Sequence, residues 1–551
     1  MAQPATAAAL QRRGLTYKGN ERAWRFLNGP WHTNDGGHMI SPATSFWSMD
    51  IHLAFQVEQA YRDCTVSTKW QFRYGGGAAP ILIVRAQNTR RFYAVRCNLQ
   101  MNLPSSEQYL MCSIWKGTSD GYQRMLGYRR KVGIYVVKDD PHKWYEVRIQ
   151  CAGPQIIVFF DDNFVCAVND TDYEAGVVGV GTTYGIAAFK DLAMEGEPVR
   201  GVPTWSDAEI ETPKQFSPAS VPAGGATATL LPHDEILVGY SSGGKRFVTR
   251  TRNYGLTWDE PVEGRSGYYI ESRDELWAIW GEHNPDVKWH DQGKNFDELN
   301  TTNFWNVQTV SRDHGKTWTP KQLMMVPFPK GIAYAPIKGK AGSVLGFQEP
   351  PRNLSDGAIA ISACWRNNPD GNYHSDQVQF CRTTDGGQSW SISPVDATEW
   401  ERNESAWVEL GDGKILCVLR SNYTNSVGKS ISTDYGRTWS RVSPLGIPYF
   451  GPSAPAIMRT RNKVLVLATR GWGIFTSTDE GQTWSLPTHI RGYTGSGGAA
   501  NILEMADGRL FVLSSTHGNA RGASTIMGQF IRVDADGTVS PALPGPVVKD
   551  E

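Results

Sequence analysis

The residues of this 551-residue chain that could do chemistry are carboxylates and arginines in its last two thirds. Glu404 stands in Asn403-Glu404-Ser405-Ala406-Trp407, ahead of a polar turn at Asp412-Gly413. Glu282 stands in the stretch Trp280-Gly281-Glu282-His283-Asn284-Pro285-Asp286-Val287-Lys288-Trp289-His290-Asp291, rich in aromatic and titratable groups. Two carboxylates facing each other across a cleft suit glycosidic bond cleavage, one kept protonated as an acid and one ionised as a base or a nucleophile's partner. Arg366, Arg420 and Arg470 follow successive turns. A planar guanidinium fork matches a carboxylate or sulfate, and converging cations are costly without an anion, so an acidic sugar is the expected ligand. The competing account is that each arginine pairs with an acidic side chain at the rim. Gln348, Glu349 and Trp472 complete the substrate-binding candidates, and Tyr493, His283 and His517 are candidates for the nucleophile or for proton removal. His283 and His290 lack further ligand spacing, so no metal is assigned, and no cofactor is expected.

These residues need a scaffold that brings distant segments to one place, and the sequence supplies a repeat. A strand, a polar turn and a second strand recur six times, turning at Asp234-Glu235, Asp274-Glu275, Asp356-Gly357, Asp412-Gly413, Asn462-Lys463 and Asp507-Gly508. Six hairpins imply six blades of a β-propeller. In such blades the first strand starts, and the second ends, at one mouth of the ring. Function is expected about eight residues before each turn and seven to nine after it, which picks out Gln348 with Glu349, Glu404, Glu282, Arg366, Arg420 and Arg470.

A second repeat follows the hairpins. Five copies of Ser/Thr-x-Asp-x-Gly-x-Thr-Trp occur, at Thr251 to Trp258, Ser311 to Trp318, Thr383 to Trp390, Ser432 to Trp439 and Ser477 to Trp484, with Asn253 and Ser389 as the only departures. An Asp that caps backbone amides, a Gly at positive φ and a Trp that packs between sheets make a tight hairpin. This is the Asp-box, and from Ala223 to about Val539 the chain resembles the sialidase and BNR-repeat propellers. The resemblance implies a glycosidase in which Glu404 partners the nucleophile, and Arg420 and Arg470 are the second and third arginines of the family's triad. Other family positions differ. Gly224-Gly225-Ala226-Thr227 replaces the Arg-Ile-Pro signature, Tyr240 to Arg246 carries no acid/base carboxylate, and Ala499 falls where the tyrosine nucleophile is expected, with Tyr493 nearest. The expectation is a sialidase-like glycoside hydrolase for a carboxylated or sulfated sugar, not an ordinary sialidase. The alternatives are a polysaccharide lyase acting on a uronate and a non-catalytic carbohydrate-binding protein.

Upstream, residues 1–197 alternate apolar and polar positions in short runs. Lys143 to Ile149, Ile156 to Phe160, Gly176 to Gly181 and Ala187 to Leu192 resemble the closing strands of concanavalin-like, laminin-G-type sandwiches. The expected architecture is all-β: a β-sandwich (1–197), a proline-marked linker (198–222) and the catalytic propeller (223–551). With 55 basic and 55 acidic residues the formal net charge is zero, which gives no general attraction for nucleic acid or an anionic membrane. The eight cysteines lack metal or redox spacing and read as buried thiols. Met1 to Gly14 lacks an apolar run long enough for a signal peptide, so the expectation is a secreted or periplasmic protein whose leader is already removed. Oligomeric state is left open.

Overall fold

The computed structural model describes residues 13–27, 31–41, 51–74, 79–88, 91–100, 109–117, 123–129, 143–183, 186–199, 208–210, 223–281, 306–324, 345–347, 350–366, 376–395, 402–421, 427–447, 455–469, 473–490, 501–516 and 525–546. Among them there are strands and three short 3-10 turns but no α-helix. The chain divides into two compact units, one containing Met1–Ala208 and the other Glu209–Gly446, Pro452–Thr516 and Ala523–Glu551.

The first unit is a β-sandwich organised by one long strand, Ile51–Tyr74. Its first half pairs with Gly176–Thr183 and Trp24–Leu27, and its second half with Tyr145–Ala152 and Ile186–Pro198. One strand thereby serves both layers. Alternation is clean in Tyr145–Ala152, where every second side chain is buried, as expected for a strand with one face on the core. The tight reversal between Gln155–Phe160 and Asn163–Asn169 has both Asp161 and Asp162 at positive φ, the twist that two-residue hairpin loops favour. Trp70, Tyr145 and Phe160 pack at the centre of this core, with Trp70 stacked on Tyr145 at 5.1 Å between centroids.

The second unit is a six-bladed propeller. Each blade is an antiparallel sheet in chain order, beginning with Ala223–Leu231, Tyr268–Ile270, Leu345–Phe347, Arg402–Gly411, Ala456–Arg459 and Asn501–Glu504. The sixth blade, without a box, takes its outer strands from Thr525–Val533 and Val539–Pro541. The linker strand Ala208–Ile210 joins the outer edge of the fifth blade. The sixth blade thus has four strands from its own segment.

Hydrogen bonds at the turn end link every pair of neighbouring blades. Tyr269 N donates to Thr229, Ser272 to Asn353, Ser355 to Glu409, Arg459 to the Leu410 carbonyl, Arg461 N to Glu504, and Ala506 N to Asp234. The Asp-boxes lie at this same end, since Tyr254 donates to the turn residue Asp234 and Tyr435 N to the Gly413 carbonyl. In the fourth box Asp434 accepts from Ser432 Oγ, Thr438 N and Thr438 Oγ1 at 2.6–2.8 Å. The other boxes repeat this pattern, with Asn253 in place of Asp in the first. Burial raises the Asp385 and Asp434 carboxyls, but these hydrogen bonds outweigh it and bring both down to about 2. Three box tryptophans reach the preceding blade: Trp390 meets Trp277, Trp439 meets Phe380, and Trp258 meets Phe511 across the ring closure.

Candidate active site

The box serine or threonine fixes the register of each blade, because its ladder partner on the second strand is constant: Ile236, Leu276, Ile359, Ile415 and Leu465 in blades one to five. Counted from this mark, Arg420 is the fifth residue along its strand, and in sequence Arg470 is also the fifth. Arg366 is the seventh, while Cys364 holds the fifth place. The three arginines that follow successive turns are thus not at equivalent positions. Only Arg420 and Arg470 correspond, and Arg366 stands one alternation further out. Ser241 and Gly281 hold the fifth place in blades one and two. Glu282 is the sixth in its blade, of opposite alternation to Arg420, and lies outside the described residues.

The fourth blade builds the best-defined part of the site. Its first two strands pair Ser405 with Leu419 and Arg402 with Ser421, so Asn403 and Glu404 together oppose the single residue Arg420. Such a bulge re-aims side chains at the end of a sheet. Here it brings Glu404 Oε2 within 3.0 Å of Arg420 Nη1, with the two side chains only 16% and 12% exposed. The next residue, Ser405, is fully buried and donates to Ser362 Oγ of the third blade at 3.1 Å. Among the described residues of the propeller, the other well-buried ion pairs, Arg250 with Glu235, Arg382 with Asp356 and Arg509 with Asp507, all lie at the turn end, each within its own blade. Glu404 with Arg420 is at the opposite end, away from the boxes.

Of the remaining candidates, Arg366 has its backbone in Ile359–Arg366, with its side chain outside the description. His283, Gln348, Glu349, Arg470, Trp472, Tyr493 and His517 lie outside the described residues. Among the described residues no group of three His, Cys, Asp or Glu could hold a metal. Among the described residues no helix is long and apolar enough to cross a membrane.

Two features escaped the sequence reading. Arg352 donates to the carbonyls of Trp407 and Ile457, tying the third blade to the fourth and fifth; nothing in its local sequence signals this. Between blades one and two a pocket of about 270 Å³ is lined by Thr227, Tyr240, Arg246, Ser266 and Trp280 among others. The glycine and polar residues of Tyr240 to Arg246 and the Trp that opens the second-blade insertion were the available signals.

With the fold and this geometry in hand, the chain is a six-bladed β-propeller preceded by a β-sandwich. Residues 287–473 match the family model of the BNR repeat-like domain. A sialidase of Paraclostridium sordellii is 29% identical over 147 residues, covering 26% of this chain and 34% of its own length; the match thus spans about a third of that relative. Among solved structures, a mutant of the NanB sialidase from Streptococcus pneumoniae is 10% identical over 94% of this chain and 98% of its own, with a TM-score of 0.39. An alpha-L-arabinanase of Penicillium chrysogenum complexed with arabinobiose is 14% identical, over 59% and 97%, with a TM-score of 0.39. The carbohydrate binding module CBM66 of Bacillus subtilis is 16% identical, over 32% and 96%, with a TM-score of 0.26. The propeller is thus similar to the BNR repeat-like domain over residues 287–473 and, over part of its length, to a sialidase.

Proposed function

We propose that this protein is a glycoside hydrolase whose substrate is a carboxylated or sulfated sugar within a glycan, and that it is not an ordinary sialidase. The observation that carries the reading is the Glu404–Arg420 pair, a shielded carboxylate and guanidinium 3.0 Å apart at the end of the ring opposite the closure network. A cation this close favours the ionised carboxylate. Glu404 then acts as a base or a nucleophile's partner, drawing a proton from the attacking group, while a second, protonated group delivers a proton to the leaving oxygen. Glu282 and Tyr493 are the candidates for that complement. Arg420, with Arg470 and the outlying Arg366, supplies donors for the anion on the sugar.

The absence of an arginine at Gly224-Gly225-Ala226-Thr227 supports a substrate other than a simple sialoside. A glycan outside the cell is the natural substrate of such an enzyme, which supports a secreted or periplasmic location. The test is a panel of uronate-containing and sulfated polysaccharides with neutral counterparts, read for reducing ends and for ultraviolet absorbance from an unsaturated product. Reducing ends without that absorbance, from acidic members of the panel only, is the expected result. Cleavage accompanied by the unsaturated product would replace hydrolysis with β-elimination, and equal cleavage of neutral members would remove the acidic-sugar reading.

A further inference from the structure

The pocket between the first two blades has the chemistry of a second sugar site. Its floor forms where Ser266 packs over Gly239: a Cβ on that glycine would lie 2.0 Å from Ser266 Oγ, so the close approach requires its absence. Ser266 Oγ and Thr227 Oγ1 are 2.9 Å apart and join the two blades there. On one wall Tyr240 stacks with Phe247 at 5.7 Å between centroids, and burial raises the Tyr240 hydroxyl above its ordinary value, so it stays a neutral donor across the working pH range. On the other wall is Trp280, with the Arg265 guanidinium 4.0 Å and the Arg246 guanidinium 6.0 Å from its ring centre. Among the described residues no carboxylate lies within ion-pair distance of Arg246, which is exposed and lines the pocket. Aromatic rings, hydroxyls and an exposed cation are what a pyranose bearing an acidic group would engage, through its C–H face, its hydroxyls and its anion respectively.

We propose that this pocket binds a further acidic sugar unit of the same chain, so that the substrate is an extended acidic polysaccharide and not a single terminal residue. The inference rests on the acidic-glycan reading above. It also goes beyond it, because Arg246 and Trp280 lie on different blades from Glu404 and Arg420. Long-chain recognition by a cationic subsite predicts affinity that grows with chain length and falls with salt.

The experiment is calorimetric titration of the full chain with polygalacturonate and chondroitin sulfate, and with dextran as the uncharged control. The full chain should bind at least one acidic polymer and not dextran. Arg246→Gln and Trp280→Ala should each weaken that binding by about tenfold, with a shallower salt dependence in Arg246→Gln alone. Trp280→Phe, which keeps a ring, should retain most of it, and thermal unfolding confirms that each variant is folded. Arg246→Gln binding like the unaltered protein, no binding of either acidic polymer, or dextran bound equally well overturns the proposal. Glu404→Gln on the same panel separates the two readings. Lost turnover there with normal binding in Arg246→Gln removes only the subsite, whereas full turnover there with weakened binding in Arg246→Gln removes only the catalytic assignment.

Discussion

Replacing Glu404 by Gln and by Ala tests the site through stability and turnover together. At 3.0 Å and an effective dielectric of about 20, the attraction to Arg420 amounts to about 5 kcal/mol, and the lost hydration of both ions offsets much of it. Gln keeps the volume and an acceptor oxygen but exchanges a charge-assisted bond for a neutral one, a cost of about 1–2 kcal/mol. Ala removes the acceptor as well, and breaking a buried pair costs about 3–5 kcal/mol. The low end of that range is expected, because the side chains are 16% and 12% exposed and water reaches both. Urea unfolding measures these losses as shifts in midpoint at constant slope. On the acidic glycan that the panel identifies, Glu404→Gln should lower turnover at least about 100-fold while leaving binding in place. Near-full turnover in that variant would make Glu404 a structural partner of Arg420 and nothing more. A loss below about 1 kcal/mol for Glu404→Ala would show that the pair behaves as a surface ion pair, refuting the burial argument.

The boxes give an acid limit. The Asp385 and Asp434 carboxyls, at about 2 in the folded chain against an ordinary 3.8, are depressed groups, so the stability they contribute is present above pH 3.8 and is lost as pH falls towards 2. Thermal unfolding followed across that range should show Asp434→Asn losing less than the unaltered protein, and parallel profiles would contradict the assignment. Gly436 sits at φ 80° with Phe380 2.3 Å from where a Cβ would be; Gly436→Ala should destabilise by more than about 1 kcal/mol in urea, and a neutral result would refute the packing. In the sandwich, Cys64 faces Cys151 and Cys97 faces Cys112 across adjacent strands, the second pair with sulfurs 4.0 Å apart. Refolding in a glutathione redox buffer should therefore link Cys64 to Cys151, and Cys112 to Cys97 or to Cys166, which also hydrogen-bonds it; a link between either of the first pair and any of the other three would contradict the register. Release of sialic acid from a simple sialoside should be slow or absent; rapid release would show that the first blade holds an arginine-equivalent not visible in Gly224-Gly225-Ala226-Thr227.

The blades were legible in the sequence because the chemistry that specifies the turn end is local. Within eight residues a box carries its own serine, aspartate, glycine, threonine and tryptophan, and their hydrogen bonds close on one another, as those of Asp434 do with Ser432 and Thr438. The opposite end obeys no such rule. Glu404 meets Arg420 only because a bulge sets Asn403 and Glu404 against one residue, and a bulge has no composition of its own to read. Counting from the turns grouped Arg366 with the others only because a span of seven to nine residues was allowed; in the ladder Arg366 lies two residues beyond the place that Arg420 holds, and Cys364 stands there instead. The pocket of the first two blades was harder still to foresee, since Thr227, Arg246, Ser266 and Trp280 come together only through packing between sheets.

This asymmetry bears on what the ring can recognise. In the box register Arg420 has its counterpart at Arg470 in the next blade, while blades one to three offer Ser241, Gly281 and Cys364 at that place. Among the five blades that carry a box, an arginine at the fifth position is therefore confined, in sequence, to two adjacent ones. The positive charge of the first two blades stands elsewhere, on Arg246 and Arg265 around Trp280. Two separated cationic centres fit two acidic groups better than one. On the reading proposed above, a chain carrying an acid on successive sugars would gain affinity from both centres at once, as linked binding sites do, whereas a monosaccharide would engage only one.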